Sequence, residues 1–337
     1  MAKINIRSPY FVNVSYAGLT SAKLELYVYT GTQTTDRGSI DYTLNSTAYN
    51  DEVTFEISEL VRDYLDVTFN GSYDSQMIWV DYQVTEYVGA SPYTLTMQQL
   101  EAFDGYGYFE DGVNPQLSGD LLQSNTIQYV LKDEVLKIPV NVNDIVDVKF
   151  YNGATLSNTI SCADTTVSSS LIKYASDVAN IDRVVVDNGT TTTEVNVEII
   201  EECKHTPHKI TFVNKFGVLQ DIWFFKRSNL SLNTKKETYK SNISNSGSYS
   251  INDHQTKVLS KQGAEKLVLN SGFVVEQYNE VFKQLMLSEK TWINYEAQTL
   301  PINISTSSLS YKTSLNDKMI NYTIEVDFAF DKINSVR

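Results

Sequence analysis

The residues with the most reactive side chains are gathered in one short stretch of the sequence. Cys203, His205 and His208 lie within six positions, in a chain that holds only two cysteines and three histidines. With Cys162 they could supply two sulfur and two nitrogen ligands, a set that zinc accepts. Structural zinc sites usually carry two close-spaced pairs, whereas Cys162 stands alone, far upstream of Cys203. We therefore predict no metal and no cofactor, with zinc at these four residues left open as the alternative.

The same residues are a poor basis for catalysis. A Cys-His pair can form an activated nucleophile, but it needs a base held within reach and a third group to orient that base. Cys203 and His205 are two positions apart, with no orienting partner evident in the sequence. The motifs typical of hydrolases, metalloproteases, phosphate-binding loops and dinucleotide-binding folds do not occur. We predict that the protein is not an enzyme.

One loop combines aromatic residues with glycines and acids. The segment from Phe103 to Pro115 reads FDGYGYFEDGVNP, with Tyr106, Tyr108 and Phe109 between three glycines. Because tyrosine is favoured at protein interfaces, we predict that these three aromatic residues contact a neighbouring subunit. Two alternatives stay open: the rings bind a sugar, or the loop folds its own aromatics onto the core.

The composition and the hydrophobic pattern predict a mainly β protein. The chain has 337 residues, long enough for two or three domains, and it contains 22 tyrosines. Apolar residues alternate with polar ones around Leu24 and Leu26, around Val53 and Phe55, and from Ile78 to Val84. Period-two alternation indicates strands with one face on a core. We predict a multi-domain protein of antiparallel β-sandwiches with one or two short helices.

Three units are predicted along the chain. Residues 1–125 form an acidic N-terminal β-sandwich with a short helix capped by Ser58. Residues 126–200 contain Asn-Gly pairs, the strongest local signal for hairpins, and are predicted as a small immunoglobulin-like β domain that is a possible insertion. Residues 201–337 form a C-terminal β domain with an amphipathic helix near 274–288. Within this last unit, the polar stretch 235–263 is predicted as a long hairpin or loop.

Charge is unevenly distributed and limits the classes of partner. The net charge is −14, and residues 1–125 hold 17 acidic against 5 basic residues, while residues 201–337 hold 14 against 17. Such an acidic body repels phosphate, so we predict no nucleic-acid partner. No apolar run approaches the roughly 20 residues that span a bilayer, and the N-terminal stretch lacks the apolar core of a secretory signal. We expect no membrane partner and synthesis in a cytoplasm.

The C-terminal unit resembles structural proteins encoded by tailed bacteriophages that infect Bacteroidota. In that group a cysteine and a ring-bearing residue lead to a proline, a strand, a turn like Asn-Lys-Phe-Gly and an aromatic strand. The matching positions here are Cys203, Pro207, Phe212, Asn214, Gly217, Trp223 and Phe225. The runs 271–293 and 300–313 are also similar, and residues 4–14 add a weaker match. His205 and His208 stand where the group carries aromatic residues, which favours a domain entrance over a metal site.

This resemblance implies a function in assembly. It leads us to expect a non-enzymatic virion structural protein, a component of the tail, baseplate or neck, synthesised in the host bacterial cytoplasm. Its expected partners are other virion structural proteins and further copies of itself, in a homo-oligomeric ring or cluster. The alternative is a carbohydrate-binding module or adhesin that attaches to the host surface.

Overall fold

The computed structural model confirms the mainly β fold. It describes residues 2–34, 36–74, 76–115, 120–142, 145–163, 172–178, 180–310 and 319–333. Strands account for 55% of the chain and helices for 7%, and one helix has seven or more residues. In the part of the chain that the structure describes, neither helix has the length and apolar character needed to cross a membrane.

The N-terminal unit is a sheet with a small second sheet against it. Its six-stranded sheet has the order β1-β8-β6-β3-β4 with β7 on β6, and β2 pairs with β5. The two sheets share one apolar core. The elements are β1 (Ala2–Asn5), β2 (Phe11–Ser15), β3 (Ser21–Tyr29), β4 (Tyr42–Thr47), β5 (Glu52–Glu56), α1 (Ser58–Arg62), β6 (Ile78–Val88), β7 (Ser91–Thr94) and β8 (Gln98–Phe103).

The middle unit is a sandwich of five strands against two. The order is β12-β11-β14-β15-β9 in one sheet, and β10 pairs with β13 in the other. Both Asn-Gly pairs lie in hairpin turns, as predicted, at β11–β12 and β14–β15. The immunoglobulin type stays a prediction. The strands are β9 (Ile127–Leu131), β10 (Val135–Asn141), β11 (Ile145–Asn152), β12 (Thr155–Ala163), β13 (Ile172–Val178), β14 (Arg183–Asp187) and β15 (Thr192–Ile200).

The C-terminal unit is a seven-stranded sheet covered by a helix. Its order is β17-β16-β22-β23-β24-β21-β18, and β19 pairs with β20. The elements are β16 (His208–Val213), β17 (Leu219–Phe224), β18 (Asn229–Lys240), β19 (Ser244–Asn245), β20 (Ser248–Tyr249), β21 (Thr256–Val275), α2 (Asn279–Leu287), β22 (Thr291–Tyr295), β23 (Gln298–Ile304) and β24 (Met319–Phe328), with a 3₁₀ turn at Glu276–Tyr278 before α2. The predicted helix near 274–288 is present, and it buries Tyr278, Phe282 and Leu285.

Three details differ from the sequence predictions. Two strand pairs are parallel, β1 with β8 and β9 with β15, because long connections separate those strands in the chain. Ser58 does not cap α1: the N-cap is Ile57, and the Glu56 carboxylate accepts hydrogen bonds from the Ser58 N–H and hydroxyl. Strand β6 was predicted to bury one face, but Trp79 and Asp81 on its other face are buried too. The Trp79 indole N–H donates to the Gly31 carbonyl, and Arg37 forms an ion pair with Asp81.

The predicted boundaries at 125/126 and 200/201 stay predictions. Buried side chains pack between the units on either side of each boundary. Strand β9 places Val130 in the core of the middle unit and Tyr129 in the core of the C-terminal unit. Tyr174 of β13 packs with residues of both other units. The middle unit is therefore joined to its neighbours through buried side chains.

The turn between β16 and β17 touches the N-terminal unit backbone to backbone. A Cβ added at Gly217, whose φ is +76°, lies 2.7 Å from the Gly105 nitrogen and 2.8 Å from the Asp104 nitrogen. Nearby, the Tyr106 N–H donates to the Lys215 carbonyl at 2.9 Å. Only glycine permits this approach, since both the φ and the contact exclude a side chain.

We expect Gly217→Ala to destabilise the protein by about 3 kcal/mol, because the methyl group meets backbone that cannot yield. Gly189→Ala is the matched control: φ there is +81°, but nothing lies within 4 Å of the added Cβ. The control should cost only about 1 kcal/mol. Urea unfolding of both variants checks the difference, and equal losses would contradict a close contact between the two units.

Candidate functional site

The residues considered for a metal site lie in different environments. Cys162 is buried in the core of the middle unit, whereas Cys203 is exposed and both are free thiols. Cys203 and His205 lie in a turn in which the Glu202 carboxylate accepts the Lys204 and His205 N–H groups. Lys226, hydrogen-bonded to the same carboxylate, helps hold the pKa of Glu202 down to about 2.

His208 belongs to the core of the C-terminal unit. Its ring stacks on Tyr295 with centroids 5.6 Å apart, and its Nε2 lies 3.2 Å from the Ser228 hydroxyl. Burial lowers the pKa of this imidazole. Among the residues that the structure describes, no group of three or more His, Cys, Asp or Glu side chains could hold a metal ion. The stretch leads into the buried strand β16, and its role as a domain entrance stays a prediction.

The aromatic loop is held in one shape by the N-terminal segment. The Asn114 amide oxygen accepts from the Asn5 N–H at 3.0 Å, and its nitrogen donates to the carbonyls of Asn5 and Ser8 at 2.8 Å. The Gly107 N–H donates to the Ser8 hydroxyl at 2.7 Å. Asp111 closes the loop by accepting the Tyr108 N–H at 2.8 Å. These bonds fix the backbone that carries the three aromatic side chains.

The three predicted interface residues have different environments. Tyr106 is buried, with the Arg7 guanidinium 4.8 Å from its ring centre. Tyr108 is half-buried: its hydroxyl donates to Glu280 of α2 at 2.6 Å, and the Lys283 ammonium lies 3.4 Å from its ring centre. Phe109 is fully exposed, at 100%. The tyrosines therefore attach the loop to the rest of the protein, and Phe109 is presented to solvent.

Phe109 stands at the edge of an open groove between the loop and the N-terminal segment. The groove, called the aromatic groove below, has a volume of about 610 Å³ and is lined by residues 7–11, 13, 107–109 and 112–114. Two more apolar side chains at this groove are exposed, Phe11 at 56% and Val113 at 71%. A cluster of large apolar side chains exposed to solvent is typical of interaction sites.

At the base of the loop, the buried carboxyl group of Asp104 lies near charged side chains of two units. Asp104 follows β8, and burial raises its pKa to about 6, although the nearby Arg7 guanidinium lowers it and Glu289 raises it further. Glu289 accepts from Arg62 at 2.7 Å and lies 3.4 Å from Arg7. The Arg7 Nη2 also donates to the Leu287 carbonyl at the end of α2. This ion network ties the base of the aromatic loop to the C-terminal unit.

A long exposed segment was predicted as a hairpin or loop but not as a site. Strands β18 and β21 pair from Asn229↔Val268 to Lys240↔Thr256, which confirms the hairpin. We call residues 235–261 the arm. No described side chain from 232 to 259 is buried, so both faces of the arm meet solvent. The sequence signal that could have indicated a binding surface here is the set of apolar residues spaced among lysines. The apolar residues most exposed in the arm are Tyr239, Tyr249, Ile251, Val258 and Leu259.

Comparison with known proteins identifies no relative. No protein family matches the sequence, and no curated protein matches it. Among solved structures, CBD12 from CALX1.2 is 10% identical over 53% of this chain and 73% of that chain, with a TM-score of 0.16. The native conformation of E. coli alpha-2-macroglobulin is 10% identical over 96% of this chain and 20% of that chain, with a TM-score of 0.22. Likenesses this weak support no statement about fold or function.

Truncating two aromatic side chains of the loop should show which of them supports the fold. We expect Tyr106→Ala to lower the free energy of unfolding by about 3 kcal/mol, because a buried ring and its contact with Arg7 are lost. Phe109→Ala should change it by less than about 0.5 kcal/mol, since the ring is fully exposed. Urea unfolding of both variants checks this. A large loss in Phe109→Ala would mean that its ring packs on the protein.

Asp104 should make the stability depend on pH. Its pKa is about 6 in the folded protein and near 4 in the unfolded chain, so the folded state binds the proton more tightly. Stability from this group is therefore lost as pH rises from about 4 to about 6. We expect Asp104→Asn to become more stable relative to the wild type by about 2 kcal/mol between pH 4 and pH 7.5.

The free energies of unfolding of both proteins at the two pH values measure this difference. Glu110→Gln, which removes an exposed carboxylate from the same loop, is the control and should show no such change. A constant difference between wild type and Asp104→Asn would contradict a buried, proton-binding Asp104.

Proposed function

We propose that this chain is a non-enzymatic structural protein that assembles in repeated copies within a virion. The observation that carries this proposal is the arm, a two-stranded hairpin with both faces in solvent. A two-stranded hairpin by itself is marginally stable in water, and packing against further structure stabilises it. An element of this kind fits a protein that binds neighbouring subunits in an assembly.

The place in the virion is proposed from the sequence resemblance. The C-terminal unit resembles structural proteins of tailed bacteriophages that infect Bacteroidota, so we propose a tail, baseplate or neck component. Its partners are then other virion structural proteins and further copies of the same chain. The near-balanced charge and dense apolar strands of residues 201–337 suit this unit to packing within a particle.

A carbohydrate-binding or adhesin function is the weaker alternative. It is supported by the full exposure of Phe109 beside an open groove. Sugar binding usually uses open aromatic faces, but Tyr106 is buried and Lys283 covers one face of Tyr108. A glycan array with no hits for the full chain removes this alternative.

The proposed function predicts concentration-dependent assembly. The purified full chain should form oligomers as its concentration rises, or should bind other structural proteins of the particle that contains it, because the arm is exposed in the single chain. Light scattering after size-exclusion chromatography measures the first property. A mass-spectrometric inventory of purified particles measures the second and gives the copy number. A chain that stays monomeric at high concentration, binds no virion protein and is absent from particles would refute the proposal.

A further inference from the structure

The arm carries a concentrated positive charge. Residues 235–261 include five lysines, at positions 235, 236, 240, 257 and 261, against two acidic residues, Glu237 and Asp253. Residues 1–125, in contrast, hold 17 acidic against 5 basic residues. A basic arm and an acidic N-terminal unit on the same chain attract each other between copies.

The arm also has an apolar end. Beyond the last pair with β21, the chain forms the short hairpin β19–β20, with Ser246 and Gly247 at φ values of +49° and +88° in its turn. Tyr249 and Ile251 follow this turn and are 67% and 89% exposed. The paired part of the arm from 235 to 240 adds a reach of roughly 17 Å. The arm therefore presents two large apolar side chains at a distance from its own sheet.

The aromatic groove is the surface whose chemistry matches this end. It presents the exposed Phe109, Phe11 and Val113. Glu110, an exposed carboxylate, follows Phe109 in the same loop but does not itself line the groove. Its volume of about 610 Å³ lies in the range that accepts ligands larger than one side chain. The loop is already held in place by Asn114 and Ser8, so docking needs little reordering.

We propose that the arm of one copy docks into the aromatic groove of the next copy, with Tyr249 and Ile251 against Phe109 and the lysines against the acidic N-terminal unit. This inference rests on the proposed assembly function and names its contact. The competing contact, arm against arm, brings like charges together and is disfavoured. The arm's 27 residues (235–261) are similar in number to one side of a standard protein interface.

Cysteine cross-linking of the full chain tests the contact. In a Cys203→Ser background, which removes the exposed native thiol, the double variant Ile251→Cys/Phe109→Cys should give a ladder of covalent oligomers under mild oxidation. The control pairs Ile251→Cys with Tyr49→Cys, which is 81% exposed but lies outside the groove. We expect at least several-fold less cross-linking in the control. Equal or absent cross-linking in the groove pair overturns the proposal.

Charge reversal provides an independent measurement. Lys240→Glu/Lys257→Glu, which changes the two lysines nearest the end of the arm, should weaken oligomer formation at about 0.1 M salt, and Glu110→Lys in the same chain should partly restore it. All three side chains are exposed, so folding is unaffected. If the wild type oligomerises but neither reversal nor cross-linking involves the arm, the docking contact is wrong and the assembly function stands. If the wild type neither oligomerises nor binds virion proteins, both fail.

Discussion

The arrangement of the three units depends on one buried carboxylate, that of Asp221 in β17. It accepts hydrogen bonds from the Tyr73 hydroxyl at 2.6 and 2.7 Å and from the Thr211 hydroxyl at 2.6 Å, and Lys209 lies 3.8 Å away. The Asp221 carbonyl accepts from the Gln128 amide at 3.1 Å. A buried carboxylate is costly unless its partners are present, so Tyr73 of the N-terminal unit must be in place around β17. The Gln128 bond joins the middle unit to the main chain of the same strand.

The neighbouring polar residues extend this constraint along the strand. Gln220 donates to the Asn125 side chain at 2.8 Å, and the Leu219 N–H donates to the Tyr174 hydroxyl at 3.0 Å. Asn214, in the turn before β17, donates to the Leu122 carbonyl at 2.8 Å. All six residues of β17 are buried. A buried network of this kind specifies one arrangement, since any displacement leaves polar groups unpaired. The groove and the arm are consequently carried on a common, fixed body.

Local patterns predicted the elements, and nonlocal contacts determined what the elements expose. The alternation in β3 and β5 identified buried residues such as Leu24 and Phe55, because one face of each strand meets a core. The same rule missed Asp81, which is buried by Arg37 from a distant segment. It also could not separate Tyr106 from Phe109, since burial of Tyr106 depends on Arg7, about a hundred residues earlier in the chain.

The charge pattern of the arm has a consequence for symmetry. Lysines along an exposed edge strand oppose pairing with an identical strand, which is a common way for proteins to prevent aggregation. If two arms repel, the contact made by an arm must be with a different surface. Two copies can exchange arms across a two-fold axis, or each arm can bind the next copy in a heterologous, head-to-tail contact. Heterologous contacts between identical chains close into rings when the rotation permits and otherwise extend into filaments. The acidic N-terminal unit and the basic arm thus favour contacts between unlike surfaces over the pairing of two arms, and such contacts are compatible with a ring, a stack or a reciprocal dimer.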